Sequence, residues 1–226
     1  MKKTVIIVAG GSGSRMLTDV PKQFLLLDGL PVMMHSIQAF VKYDPQIELV
    51  VVLPEHQINF WEKLISEYNF HHPQAIAIGG ATRFHSVKNG LQKATGDIVA
   101  VHDAVRPLVS KSTIERVFNK AAETGAAIPA MKVTETVRMV TSDTESKTLQ
   151  RDQLRSIQTP QTFRRELMMD AFGIAYQDLF TDCASVVEYA GHKVALVEGN
   201  PENIKITIAQ DLHIASLLLQ QMRLQA

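Results

Sequence analysis

Cysteine occurs once in the 226 residues, at position 183. No disulfide can close within the chain and no thiolate cage can hold a metal, which fits a reducing, cytoplasmic setting. Neither sign of charge dominates, because 23 Lys and Arg balance 23 Asp and Glu. Nothing overall draws the chain to nucleic acid or to an anionic membrane, so any basic site has to be local. Long hydrophobic runs are also missing, and no stretch approaches the roughly 18 apolar residues of a membrane span. The opening MKKTVIIVAG joins two lysines to an apolar run, but that run is short and passes straight into Gly and Ser. It reads as a first strand and not as a signal peptide. Histidines show no metal-ligand spacing: His71-His72 lies in a polar stretch, and His102 beside Asp103 has no second His–Asp set, so it reads as a packed strand residue. Ser185 has no nucleophile-elbow context, and Cys183 reads as a small packing residue on a helix after Thr181-Asp182. Hydrolysis through a side-chain nucleophile is disfavoured.

What is present alternates. Short apolar runs recur at 4–10, 47–53, 75–80, 97–103, 126–133 and 193–199, each nearly continuous, as expected of strands covered on both faces. Helical spacing fills the gaps, as in Ile58, Trp61, Leu64, Ile65 and Tyr68. Ser112 with Glu115 predicts a capping box for a helix that Gly125 ends, and Thr207 with Gln210 predicts a similar start for the last helix. The pattern predicts one α/β domain over 1–226, with a mostly parallel sheet flanked by helices. One segment departs from it. Residues 135–154 read as two polar strands around a tip at 142–146, with little apolar surface to bury. The expectation is a projecting β-hairpin arm, covered by a partner subunit because an isolated hairpin is marginal in water.

The stretch VIIVAGGSGSRMLTDVPKQF carries the first chemical signal. It is not a P-loop, since Gly13 is followed by Ser14-Arg15 and not by Gly-Lys-Ser/Thr. It is not a dinucleotide fingerprint either, because Met16 stands where the third glycine belongs and the second strand ends without an acid for a ribose. Gly10, Gly11 and Gly13 would let backbone amides approach a triphosphate, with Arg15 and Lys22 supplying charge. A tight turn followed by two solvated cations fits the same residues. Other strand ends, where open α/β sheets bind ligands, add Gly79, Gly80, Arg83 and Ser86, then Asp103 with Arg106. Asp103 suits Mg²⁺ held by one carboxylate and substrate phosphates. NIKIT places Lys205 on a late strand.

Taken together, AGGSGSRM, VPKQF, GGATRFHSV, VHDAVRP, VTETVR, TPQTF, TDCAS and NIKIT stand in the order of one family. The chain resembles the 2-C-methyl-D-erythritol 4-phosphate cytidylyltransferases over nearly its whole length. The resemblance implies a Rossmann-like nucleotidyltransferase fold, CTP as substrate, Mg²⁺, and a homodimer formed through the arm. By motif position it implies Ala9, Gly10, Gly11, Gly13 and Arg15 on the triphosphate, and Lys22 and Lys205 flanking the reacting phosphates. Gly79, Gly80 and Ser86 would recognise cytosine, with Arg83 also at the nucleotide. Asp103 would hold the metal and ribose side, and Arg106 would buttress the Asp103 loop. Thr136, Arg151 and Thr159 would contact the acceptor, the first two in the neighbouring subunit's site. Gly10 and Ala81 depart from residues common in relatives, at the edge of base recognition. Ribitol 5-phosphate cytidylyltransferases share the glycine loop and HDAVRP, and the short SRM-to-PKQ spacing and TETVR favour methylerythritol phosphate. Two other classes, a dinucleotide-dependent oxidoreductase and a non-catalytic nucleotide-binding module, fit less well. The first lacks its third glycine, and the second needs fewer charges than Arg15, Lys22, Asp103 and Lys205 provide.

Overall fold

The computed structural model describes residues 1–9 and 20–224. Gly10, Gly11, Gly13 and Arg15 therefore lie outside the described residues. The chain opens with β1 (Lys3–Val8), a small hairpin of β2 (Leu26–Leu27) and β3 (Leu30–Pro31), and α1 (Val32–Tyr43). Then come β4 (Glu48–Leu53), α2 (Ile58–Glu67), β5 (Ala75–Ile78), α3 (Arg83–Leu91), β6 (Ile98–Asp103), α4 (Lys111–Thr124) and β7 (Ala126–Lys132). The arm contributes β8 (Arg138–Val140) and β9 (Ser146–Thr148), which among the described residues pair only with each other. The chain returns as β10 (Arg155–Ile157), β11 (Gln161–Arg164), α5 (Arg165–Ala171), α6 (Cys183–Tyr189), β12 (Ala195–Glu198) and α7 (Ala209–Leu224).

The central sheet has the order β10-β7-β11-β6-β1-β4-β5, with β12 parallel to β7. Strands β6, β1, β4 and β5 run parallel, whereas β11 is antiparallel to both β6 and β7. Alternate residues of the apolar runs serve opposite faces, which is why the runs are continuous. Val5, Ile7 and Val51 meet Met33, Phe40, Trp61 and Phe118 on one face. On the other, Ile6, Val50 and Val52 meet Phe84, Phe163 and Phe172. A smaller cluster of Leu27, Val105, Ile206 and Ala215 seats α7 against the segment before it. No helix among the described residues is long and apolar enough to cross a membrane.

Three local readings are corrected. The N-cap of α4 is Ser110, not Ser112, and its hydroxyl accepts from the Thr113 amide at 3.1 Å. At α7 the capping group is Asp211, whose carboxylate accepts from the amides of Thr207 and Ile208 at 2.7 and 2.9 Å. Lys205 is not on a strand. Its segment is irregular, tied to the site by Ile206 N–H donating to the Val105 carbonyl at 2.9 Å.

At the amino ends of the parallel strands, Glu48 clamps three segments together. Its carboxylate accepts from the Thr4 hydroxyl, the Thr95 amide at 2.7 Å and the Lys2 ammonium at 3.0 Å. Partial burial pushes its carboxyl up, but these donors outweigh it and lower the pKa to about 2. A carboxylate whose folded pKa is depressed stabilises the fold above its ordinary range and loses that contribution as pH falls. Glu48→Gln should therefore lower the unfolding free energy by about 1–2 kcal/mol at pH 7. In urea titrations its deficit against the parent should close between pH of about 4.5 and about 2; a deficit constant across that range would rule the clamp out.

Candidate active site

The carboxyl ends of β1 and β6 and the loop after β5 open onto one cavity of about 210 Å³, the position at which open parallel sheets bind ligands. Ala9, Lys22, Gly80, Arg83, Ser86, Asp103 and Lys205 all line it. They come from five segments spread over the chain, and the sheet brings them together.

Lys22 reaches the cavity on a tight helical turn, Lys22–Phe24, whose next two residues are its anchors. The buried Gln23 side chain donates to the Ala9 carbonyl at 3.2 Å and to Gln57 Oε1 at 2.7 Å. Phe24 stacks on Trp61 with ring centroids 6.2 Å apart. One polar and one aromatic lock thus hold a cation beside the end of β1. Gln23 escaped the sequence reading, although VPKQF contains it.

After β5, the Gly79 amide donates to the Leu53 carbonyl at 2.8 Å and the Gly80 amide to Ser86 Oγ at 3.0 Å. Ser86 Oγ in turn donates to the Thr82 carbonyl at 3.0 Å, and the Thr82 hydroxyl caps α3. This places Arg83 at the first turn of α3. Its Nη1 donates to Cys183 Sγ at 3.2 Å, and its Nη2 lies 3.6 Å from Asp103 Oδ1. Cys183 is fully buried at the start of α6, behind the capping pair Asp182 and Ser185. Gln161, another residue the sequence reading passed over, accepts from the Cys183 and Ala184 amides at 2.9 and 3.1 Å.

Asp103 is the centre of the site. It ends β6 opposite Val8 and is 8 % exposed. Lys205 Nζ lies 3.0 Å and Arg106 Nε 3.4 Å from its Oδ2, with Arg83 across the carboxylate. Burial works to raise its pKa, but the charges of Arg83, Lys205 and Arg106 hold it well below the usual carboxylate range. The carboxylate is therefore ionised, and the cations around it outnumber it. Arg106 Nη1 also donates to the Asn203 carbonyl at 2.7 Å, which fastens the Lys205 segment to the same turn.

Thr159 is 5 % exposed, with its hydroxyl on the Asp103 amide at 3.1 Å and the His102 ring at 3.0 Å. It lies beneath Asp103, with its hydroxyl committed there. Thr136 and Arg151 are elsewhere. Thr136 is exposed before β8, and Arg151 donates to the Thr134 carbonyl at 3.0 Å, in a depression shared with Lys132 and Arg155. Neither lines the Asp103 cavity of its own chain.

Among the described residues no group of three or more His, Cys, Asp or Glu could hold a metal ion. Among the described residues Asp103 is the one carboxylate lining the cavity, which fits an ion like Mg²⁺ that takes one carboxylate and fills its remaining positions with water and phosphate.

The sequence pattern of the family described as IspD, 2-C-methyl-D-erythritol 4-phosphate cytidylyltransferase, matches residues 3–221. The protein of that name from Bacteroides thetaiotaomicron is 50 % identical over 221 residues, covering 97 % of this chain and 100 % of its own. That from Porphyromonas gingivalis is 46 % identical, covering 96 % of this chain and 98 % of its own. Among solved structures, the 4-diphosphocytidyl-2C-methyl-D-erythritol synthase of Anaerococcus prevotii superposes with a TM-score of 0.81 at 26 % identity, over 97 % of this chain and 98 % of its own. The 2-C-methyl-D-erythritol 4-phosphate cytidylyltransferase of Thermus thermophilus gives 0.76 at 31 %, over 97 % and 100 %.

The two glycines after β5 are not equivalent. A Cβ at Gly80 would meet the His85 Cβ at 2.4 Å and its carbonyl carbon at 3.0 Å, whereas at Gly79 the nearest atom would be Ser86 Oγ at 3.4 Å. Gly80→Ala should lower the unfolding free energy by about 1–3 kcal/mol, and Gly79→Ala by under about 1 kcal/mol. Parallel denaturation of the two variants checks this, and equal losses would show that His85 yields.

Proposed function

The chain belongs to the 2-C-methyl-D-erythritol 4-phosphate cytidylyltransferase family, and we propose that the Asp103 cavity is where it carries out the family's reaction. As a nucleotidyltransferase, it transfers a cytidylyl group from CTP to 2-C-methyl-D-erythritol 4-phosphate. The products are 4-diphosphocytidyl-2-C-methyl-D-erythritol and pyrophosphate, in isoprenoid precursor biosynthesis. The observation that carries the placement is the meeting of Lys22, Arg83 and Lys205 around a buried, ionised Asp103.

In this reading an oxygen of the acceptor phosphate attacks the α-phosphorus of CTP in line. The new P–O bond forms as the bond to the bridging oxygen breaks, and pyrophosphate leaves with that electron pair. A phosphate monoester has a second pKa of about 6, so the nucleophile is already ionised near neutral pH and needs no general base. The protein's work is alignment and neutralisation of charge. Lys22 and Lys205 flank the reacting phosphates, and Arg15, beyond the described residues, completes the set on the triphosphate. Ala9, Gly10, Gly11 and Gly13 cradle that group, while Gly79, Gly80 and Ser86 face the cytosine with Arg83 beside them. Asp103 would hold Mg²⁺, which supplies Lewis-acid neutralisation of the phosphates when bound. Arg106 keeps the Asp103 turn in place.

The acceptor side is assigned to a homodimer. Among the described residues the β8–β9 arm pairs with no other strand, and Thr136 and Arg151 stand away from the Asp103 cavity. Delivered across a two-fold axis, they would contact the acceptor in the neighbouring subunit. A cytoplasmic setting accords with a single buried thiol.

Lys22→Ala and Lys205→Ala should each lower kcat about 10²–10³-fold, as for loss of a transition-state donor. A folded variant with near-parental turnover removes that lysine from the mechanism. Arg151→Ala should raise the acceptor KM and spare CTP binding. Pyrophosphate release with CTP, comparing methylerythritol phosphate with ribitol 5-phosphate, tests reaction and acceptor together; preference for ribitol phosphate would reassign the acceptor.

A further inference from the structure

Beneath the Asp103 carboxylate lie two buried polar side chains that touch no open surface. His102 is fully buried and Thr159 nearly so. Three contacts join them to the turn after β6. The Asp103 amide donates to Thr159 Oγ1 at 3.1 Å, Thr159 Oγ1 and His102 Nδ1 are 3.0 Å apart, and His102 Nε2 is 2.9 Å from the Arg106 carbonyl. Chemistry fixes the direction of each. A carbonyl only accepts, so Nε2 carries the proton. In a neutral imidazole Nδ1 is then bare, and it accepts the proton of the Thr159 hydroxyl. The hydroxyl oxygen keeps its lone pairs for the Asp103 amide.

We propose that His102 and Thr159 are positioning residues, whose one-way chain of hydrogen bonds from the Asp103 amide to the Arg106 carbonyl fixes the turn that presents Asp103. The chain spans both ends of that turn, so neither end shifts without breaking a buried bond. Its surroundings are packed and hydrogen-bonded. Phe40 meets the His102 ring edge-on at 5.0 Å, and Asn203 Nδ2 donates to the Thr159 carbonyl at 2.8 Å. The His102 ring is fully buried, and a neutral ring suits that setting. Thr159, by its motif an acceptor contact, acts here through Asp103. This role presupposes that the cavity carries out cytidylyl transfer.

Thr159→Val keeps the shape and removes the hydroxyl. The expected result is a kcat about 10–100-fold lower, the scale of a small misplacement of reacting groups, with the acceptor KM within about twofold of the parent. Thr159→Ser should restore kcat. His102→Gln should lower kcat alike, and the double variant should be no worse than either single one, since both break the same chain. A raised acceptor KM with kcat spared in Thr159→Val would mean that the hydroxyl touches the acceptor, and would overturn the proposal. The second measurement needs no variant enzyme to be active. Long-range ¹H–¹⁵N spectra of the parent at pH 7, with His102 assigned by its loss in His102→Gln, should show a protonated Nε2 and a bare Nδ1. A protonated Nδ1 overturns the chain even if Thr159→Val does not fold. Parent enzyme inactive with CTP and methylerythritol phosphate would remove the transfer reading, while the spectra would still decide the chain.

Discussion

A carboxylate moved out of water demands compensation, and at Asp103 it comes from three cations on separate pieces of the chain. Arg83 arrives from the start of α3, Arg106 from the turn after β6, and Lys205 from the irregular segment before α7. Removing one partner of such a cluster leaves buried charge unpaired, at a cost of about 3–5 kcal/mol for a pair. The carboxylate therefore acts as a fastener between parts of the fold that lie far apart in sequence. The same arrangement leaves positive charge in excess at the mouth of the cavity. That excess, joined by Lys22, is suited to a polyanion, so the interaction that organises the site also prepares it for phosphates.

The sheet explains why these pieces can meet. Parallel pairing of β6, β1, β4 and β5 puts all four carboxyl ends on one rim. Loops leaving that rim can then meet, however far apart in sequence, as those after β1, β5 and β6 do at the cavity. Strand β11 adds what a purely parallel sheet would lack. Running antiparallel between β6 and β7, it brings the residues just before it, Thr159 among them, under the rim from below. Gln161, its first residue, then holds the amino end of α6 against Arg83.

How much of this was legible follows from the kind of signal each part leaves. Strands covered on both faces must be apolar throughout, so β1, β4, β6 and β7 announce themselves. Strands β10 and β11 read RSI and QTFR; their pairing is decided by the edge they find, not by their composition. Lys205 sits in NIKIT, whose alternation imitates a strand, yet its backbone is held by single bonds to Val105, Asn200 and Glu202 and by side chains. The charged residues of the site were legible because few structural roles need a cation at a strand end. The neutral amides and hydroxyls that aim them, Gln23, Gln161 and Asn203, were not, since such residues are equally at home on any surface.

The arm obeys a different constraint from the rest of the chain. Arg138 stitches it internally, donating to Ser146 Oγ, the Ser146 carbonyl and Thr148 Oγ1 at 2.8–2.9 Å. These are exposed hydrogen bonds, each worth little against water, and Met139 and Val140 remain open to solvent. A hairpin of two three-residue strands cannot hold itself by such bonds. The core and the Asp103 cluster owe it nothing, since neither includes an arm residue. Its sequence is therefore free of the demands of the chain's own folding and open to those of whatever covers it. In the proposed dimer that cover would be the neighbouring subunit, and placing acceptor contacts on the arm would make a complete site and a covered arm the same event.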